Sequence, residues 1–185
     1  MSTMKRKIFI SINIADKIRR RLVKSCDKWR DLPVKWTKEE NLNISLFFLG
    51  YIDNDVVAEA CQKVREAVAE IELFDLEFEK ICLFPAIEKP QEFRVMGKSS
   101  EKLKALCEAI EKELEIFVAA KKVFSPQITL GKIRKEKWEE LENIPEVDEK
   151  ASFAVSVESV DIMASHFGEG KNGFVLIESC PLSSL

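Results

Sequence analysis

The 185-residue sequence has one histidine, His166, and few glycines and prolines, six of each. With a single imidazole, there is no H-E-x-x-H pattern. Nor is there a P-loop, a dinucleotide-binding glycine pattern or a nucleophile elbow, so zinc, P-loop phosphate and acyl chemistries find no support. The five cysteines, Cys26, Cys61, Cys82, Cys107 and Cys180, are scattered, odd in number and form no C-x-x-C pair. That spacing argues against a disulfide framework and against a zinc site, and fits small core hydrophobes in a reducing compartment. No low-complexity tract or long linker is present. The N-terminal "MKRKIFISINIADK" is too short and too interrupted by Ser11 and Asn13 for a leader peptide, so a cytoplasmic protein without a membrane segment is expected.

Positive charge is not in excess either. The formal net charge is -3 and the pI about 5.5, which denies the chain the broad positive field of a tight nucleic-acid binder. RNA contact would have to use a local patch. The candidates are Lys5 to Lys7, Arg19 to Arg21, and Lys132 with Arg134 and Lys135, each of which also reads as a solvated face.

What is present is an apolar content of 46% with 33% charged residues, enough to bury a sizeable core. "KIFISINI" alternates as a strand. A helix follows from Asp16, with Ile18, Leu22, Cys26 and Trp29 on one stripe. A second helix from Asp53 or Asn54 to about Ile71 buries Val57, Ala60, Val64 and Ala67. "LFDLEFEKICLF" alternates and then changes phase at Ile81, the mark of a bulge. "EFRVM" is a strand, Ser99 or Ser100 caps a helix to about Leu114, and "KEKWEELENIPEVDEK" reads as an acidic surface helix. "FAVSVESVDIMA" and "GFVLIESC" read as the two closing strands. About eight strands and four helices predict an α+β fold, since so few helices cannot make every strand connection a parallel crossover.

Two strands share a pattern. "NLNISLFFLG" puts Asn43, Ser45 and Phe47 on one face, and "QITLGKI" puts Gln127 and Thr129 on one face. They start 84 positions apart (127 minus 43), which suggests a duplicated lobe. If the two strands face one another, four small polar side chains gather in one cleft.

With "KIFISINI", "WTKEENLNISLFFLGYI", "FSPQITLGKIR" and the closing "VESVDIMAS…FVLIESCPL", the chain resembles the two-histidine phosphoesterases, in particular the RNA 2',3'-cyclic phosphodiesterases also called 2'-5' RNA ligases. The resemblance runs from about Lys7 to Leu182. It implies a single two-lobed domain over 1–185, with two antiparallel sheets facing a V-shaped cleft and helices outside. It also implies hydrolysis of a ribose 2',3'-cyclic phosphate by two H-x-T-x motifs, one histidine accepting and one donating a proton while the threonines hold the phosphate oxygens.

The departures are specific. The motif histidines fall at Asn43 and Gln127 and their threonines at Ser45 and Thr129, so the motifs read N-x-S-x and Q-x-T-x. A family P-R-x-x-W-x-x-G segment lies over "PQEFRVMG", matching Pro90 and Gly97, with Gln91 and Arg94 at the arginine and tryptophan positions; a shift placing Arg94 on the arginine is open. Carboxamides can donate to phosphate oxygens but cannot shuttle protons. The expectation is a catalytically impaired relative that keeps affinity for an RNA end or nucleotide phosphate, with Phe47, Arg94, Lys132 and Arg134 as further contacts. A monomer without metal or cofactor is expected. The alternatives are a non-catalytic protein-interaction scaffold and an active phosphodiesterase that uses other residues.

Overall fold

The structure is a computed structural model, and it describes residues 6–115, 124–168 and 171–184. Among these lie nine strands and four α-helices: β1 (Arg6–Asn13), α1 (Asp16–Ser25), β2 (Val34–Trp36), β3 (Asn43–Ile52), α2 (Asn54–Val68), β4 (Phe74–Phe84), β5 (Glu92–Gly97), α3 (Glu101–Leu114), β6 (Gln127–Ile133), α4 (Lys135–Glu139), β7 (Asp148–Val157), β8 (Ser159–Gly168) and β9 (Lys171–Pro181). The strands form two antiparallel sheets, one in the order β3-β1-β8-β9 and the other in the order β2-β6-β5-β4-β7. The fold is α+β.

Alternation in β1 explains the first sheet. Ile8, Ile10 and Ile12 are all buried on one face, while Phe9 and Ser11 lie on the other. α2 lies against β9 and pairs with α3, burying Val57, Ala60, Cys61, Val64 and Val68 from one helix and Leu103, Leu106, Cys107 and Ile110 from the other. Ser100 caps α3, its hydroxyl accepting from the Leu103 N–H at 3.1 Å. On the second sheet, Phe93 of β5 packs against Trp29, Trp36 and Trp138, so all three tryptophans serve the core on the face opposite Arg94.

Three elements differ from the sequence expectation. "FAVSVESVDIMA" is not one strand: the chain passes through Glu158 from β7 in the five-stranded sheet to β8 in the four-stranded one. The apolar phase changes at this point, from Val155 and Val157 to Val160 and Ile162, so the alternation itself marks the break. The acidic stretch after Trp138 is helical only through Glu139, and Asp148 already begins β7. Leu22 and Cys26 do share a buried stripe, but α1 ends at Ser25 and a 3₁₀ turn carries Trp29. The bulge expected in β4 is present, as a register shift between Phe78 and Lys80.

Candidate phosphate site between the two motif strands

Asn43 and Gln127 each occupy the first position of their strand. β3 is an edge of its sheet and comes into contact with β6 of the other. Between them lies a cavity of about 320 Å³ that Ser45 of β3 and Gln127 of β6 both line, with Phe84, Met96, Phe124 and Pro126 among its apolar walls. The segment "WTKEEN" helps hold the two strands in place. Thr37 donates its hydroxyl to the Thr129 carbonyl at 3.1 Å and its N–H to the Leu130 carbonyl at 2.8 Å. Four residues further on, Asn41 accepts from Asn43 Nδ2 at 3.0 Å.

On the β3 side the polar groups bond within the chain. Ser45 Oγ donates to Asn43 Oδ1 at 2.9 Å, so each end of the Asn43 amide has one partner, Ser45 for the oxygen and Asn41 for one of the two N–H groups. On the β6 side Arg94 Nη1 donates to Gln127 Oε1. This fixes the flip of the Gln127 amide and leaves its NH2 as the end available to the cavity. Arg94 Nε also donates to Glu92 Oε2 at 2.6 Å, and Thr129 Oγ1 donates to the same oxygen at 3.2 Å. The guanidinium stacks 3.6 Å from the Phe84 ring centroid. Arg94 and Glu92 side chains are only 16% and 19% exposed.

The approach of β5 to the second motif depends on Gly97. Its N–H bonds to the Pro126 carbonyl at 2.8 Å. A Cβ there would lie 2.5 Å from Pro126 Cγ and 2.6 Å from the Glu77 carbonyl, so only glycine allows this contact one residue before Gln127.

Phe47 does not share the Ser45 face. The register of β3 against β1 shifts between Ile10 and Ser11 and again between Ile8 and Phe9. Ser45 therefore opposes Ser11, whereas Phe47 opposes Ile10 and packs on the core with Leu46 and Leu49. Phe48 takes the cleft side instead. It opposes Phe9, with ring centroids 5.8 Å apart, carries Lys7 5.6 Å from its ring, and is 65% exposed. A bulge was hidden here because "LFFLGYI" is apolar in either phase.

Lys132 is exposed and is the cross-strand neighbour of Glu92 and of Lys35. Arg134, also exposed, precedes α4, and its N–H bonds to the Pro33 carbonyl. Neither lines the cavity. Of the arginine run, Arg19 is half-buried and bonds Asn13, the cross-strand partner of Asn43, while Arg20 pairs with Glu39. The His166 side chain and all of Lys5 lie outside the described residues.

Sequence reading missed three groups. Glu92 shares the Arg94 face of β5 by alternation, and its link to Thr129 needed the β5–β6 pairing to become visible. Ser11 and Asp161, 2% and 9% exposed, extend a polar row from Ser45 across β1 and β8 to Ser179, whose hydroxyl donates to Asp161 at 2.6 Å. Alternation could have placed Ser11 on the Phe9 face but not opposite Ser45.

Burial pushes the thiols up, to about 11 for Cys26, Cys61 and Cys180 and about 12 for Cys107; Cys82, beside Arg94 in register, is also raised, chiefly by burial. Among the described residues there is no group of three or more His, Cys, Asp or Glu side chains able to hold a metal ion, and no helix is long and apolar enough to cross a membrane.

The family described as LigT like Phosphoesterase matches residues 11–93, a span that includes Asn43, Ser45 and Glu92. An RNA 2',3'-cyclic phosphodiesterase of Thermotoga maritima is 25% identical over 140 residues, 73% of this chain and 75% of the relative. The fold of the chain is LigT-like, and residues 11–93 carry the LigT-like family match. Two crystal structures of E. coli LigT, one complexed with 3'-AMP and one with phosphate, superpose with TM-scores of 0.78 and 0.77. They share 16% and 15% identity, and cover 97% and 98% of this chain and 99% of each LigT chain. The LigT-like architecture thus spans both sheets, including β6, which lies beyond the residues matched by the family.

Proposed function

We propose that this LigT-like protein binds the phosphate of an RNA end or nucleotide between β3 and β6 and does not turn over 2',3'-cyclic phosphates at the rate of a two-histidine enzyme. The observation that carries this reading is the shared cavity, with Ser45 from one sheet and Gln127 from the other. The free NH2 of Gln127 and the remaining N–H groups of Arg94 are the donors for phosphate oxygens. The proton carriers are what is missing. Asn43 and Gln127 remain neutral amides throughout the pH range of the protein, and losing a positioned acid or base lowers a rate by roughly 10²–10⁴. The two losses need not multiply, because groups that act as a unit are non-additive.

The named relative and the two LigT complexes support the ligand class: one is an RNA 2',3'-cyclic phosphodiesterase, and the others were crystallised with 3'-AMP and with phosphate. Asn43, Gln127, Ser45, Thr129 and Arg94 are the residues proposed to form the site, within one two-lobed domain. Calorimetry with 2'-AMP and 3'-AMP tests binding. Saturable binding that is weakened by Gln127→Leu is expected; no heat at millimolar nucleotide would defeat the proposal.

A further inference from the structure

The positive charge available to a phosphate on the β6 side already has a partner. Glu92 Oε2 receives Arg94 Nε and Thr129 Oγ1, so a carboxylate of the chain itself takes the donors that would otherwise turn to a ligand oxygen. Both side chains of the pair are mostly withdrawn from water, where charges are screened less than on an open surface. Lys132, the other cation beside Glu92 in register, is exposed, and its charge is largely screened by solvent.

We propose that Glu92 is a charge selector: by neutralising Arg94 it makes the seat favour a monoanionic phosphodiester, such as a 2',3'-cyclic phosphate end, over a dianionic phosphomonoester. This inference rests on the phosphate site proposed above. A monoanion arriving beside the Arg94–Glu92 pair meets a locally neutral surface with Gln127 as donor. A dianion brings a second negative charge towards the Glu92 carboxylate, and like charges at close range in a partly dehydrated site are repelled. Above pH 7 a phosphomonoester is dianionic, since its second ionisation lies near 6, whereas a cyclic diester stays monoanionic.

Glu92→Gln removes the charge and keeps an oxygen for Arg94 and Thr129. The test is calorimetry at pH 8 with 3'-AMP and with 2',3'-cyclic AMP, on the unaltered protein, Glu92→Gln and Arg94→Gln, with a urea midpoint showing that each variant is folded. The expected result is that Glu92→Gln tightens 3'-AMP by about tenfold and the cyclic nucleotide by about threefold or less, while Arg94→Gln weakens 3'-AMP more than the cyclic nucleotide. If the unaltered protein binds both nucleotides and neither variant changes their ratio, the selector role is overturned while the phosphate site stands. If no form of the protein binds either nucleotide, both the selector and the site fall. Should Glu92→Gln not fold, the Arg94→Gln ratio decides alone, because it shifts the same balance in the opposite direction.

Discussion

Arg94 hydrogen-bonds Gln127 from the neighbouring strand and, through the opposite edge of its guanidinium, Glu92. One side chain thereby sets the orientation of an amide at a motif position and balances a half-buried carboxylate. Its planar fork presents a separate nitrogen to each partner in fixed directions, whereas a lysine would have to reach both from one nitrogen.

Replacing Arg94 with Met breaks that arrangement and leaves Glu92 as a partly buried charge with Thr129 as its one hydrogen-bond partner among the described residues. Loss of about 2 kcal/mol of stability is expected, as for removal of hydrogen bonds to charged groups. Urea denaturation of Arg94→Met, Glu92→Gln and the double variant checks it. A coupling energy of about 1 kcal/mol or more between the two positions is predicted; strictly additive effects would show that the pair contributes nothing.

Gly97→Ala places a methyl group against Pro126 and the Glu77 carbonyl. Overpacking of this kind destabilises by about 1–3 kcal/mol. The displaced segment leads into Gln127, so phosphate affinity should fall along with stability. Wild-type melting and binding in Gly97→Ala would contradict the close approach.

Asn43→His combined with Gln127→His tests how much of a catalytic cleft survives. With both imidazoles in place, hydrolysis of 2',3'-cyclic AMP at pH 7 is expected to rise by about 100-fold or more over the unaltered protein, and each single change by far less. A folded double variant with no gain would mean that the surrounding residues, Glu92 foremost, no longer suit the reaction.

The raised thiols predict alkaline sensitivity. A thiol held above its ordinary value of 9.0 in the folded chain favours folding below about pH 9, and that contribution is lost as pH rises through the folded values of about 11 to 12. Urea midpoints should be level from pH 7 to about 8.5 and fall steadily above it, less steeply in Cys107→Ala. No decline between about pH 9 and 11 would contradict the burial of these groups.

Much of the fold was legible because single-face burial writes a period into the chain. Ile8, Ile10 and Ile12 announced β1, and the phase change at Ile81 announced the β4 bulge. Where both phases are apolar, as in "LFFLGYI", the period carries no phase information, and Phe47 and Phe48 exchange faces unseen. The break at Glu158 was legible in the same way as the β4 bulge, as a phase change from Val155 and Val157 to Val160 and Ile162. Within the site, Asn43, Ser45, Gln127 and Thr129 could be nominated from two similar strands. Alternation puts Glu92 on the Arg94 face of β5, but its link to Thr129 is made across strands, and sheet order is not written in local sequence.

The most direct test is a ¹H–¹⁵N NMR titration with 2',3'-cyclic AMP, following the Ser45 backbone amide and the Gln127 side-chain NH2 together with the ligand's own signals. The account predicts saturable shifts at both positions with one common dissociation constant, and a nucleotide that remains cyclic during the experiment. Shifts confined to one strand, or conversion of the nucleotide to a 2'- or 3'-monophosphate on the time scale of the titration, would contradict it.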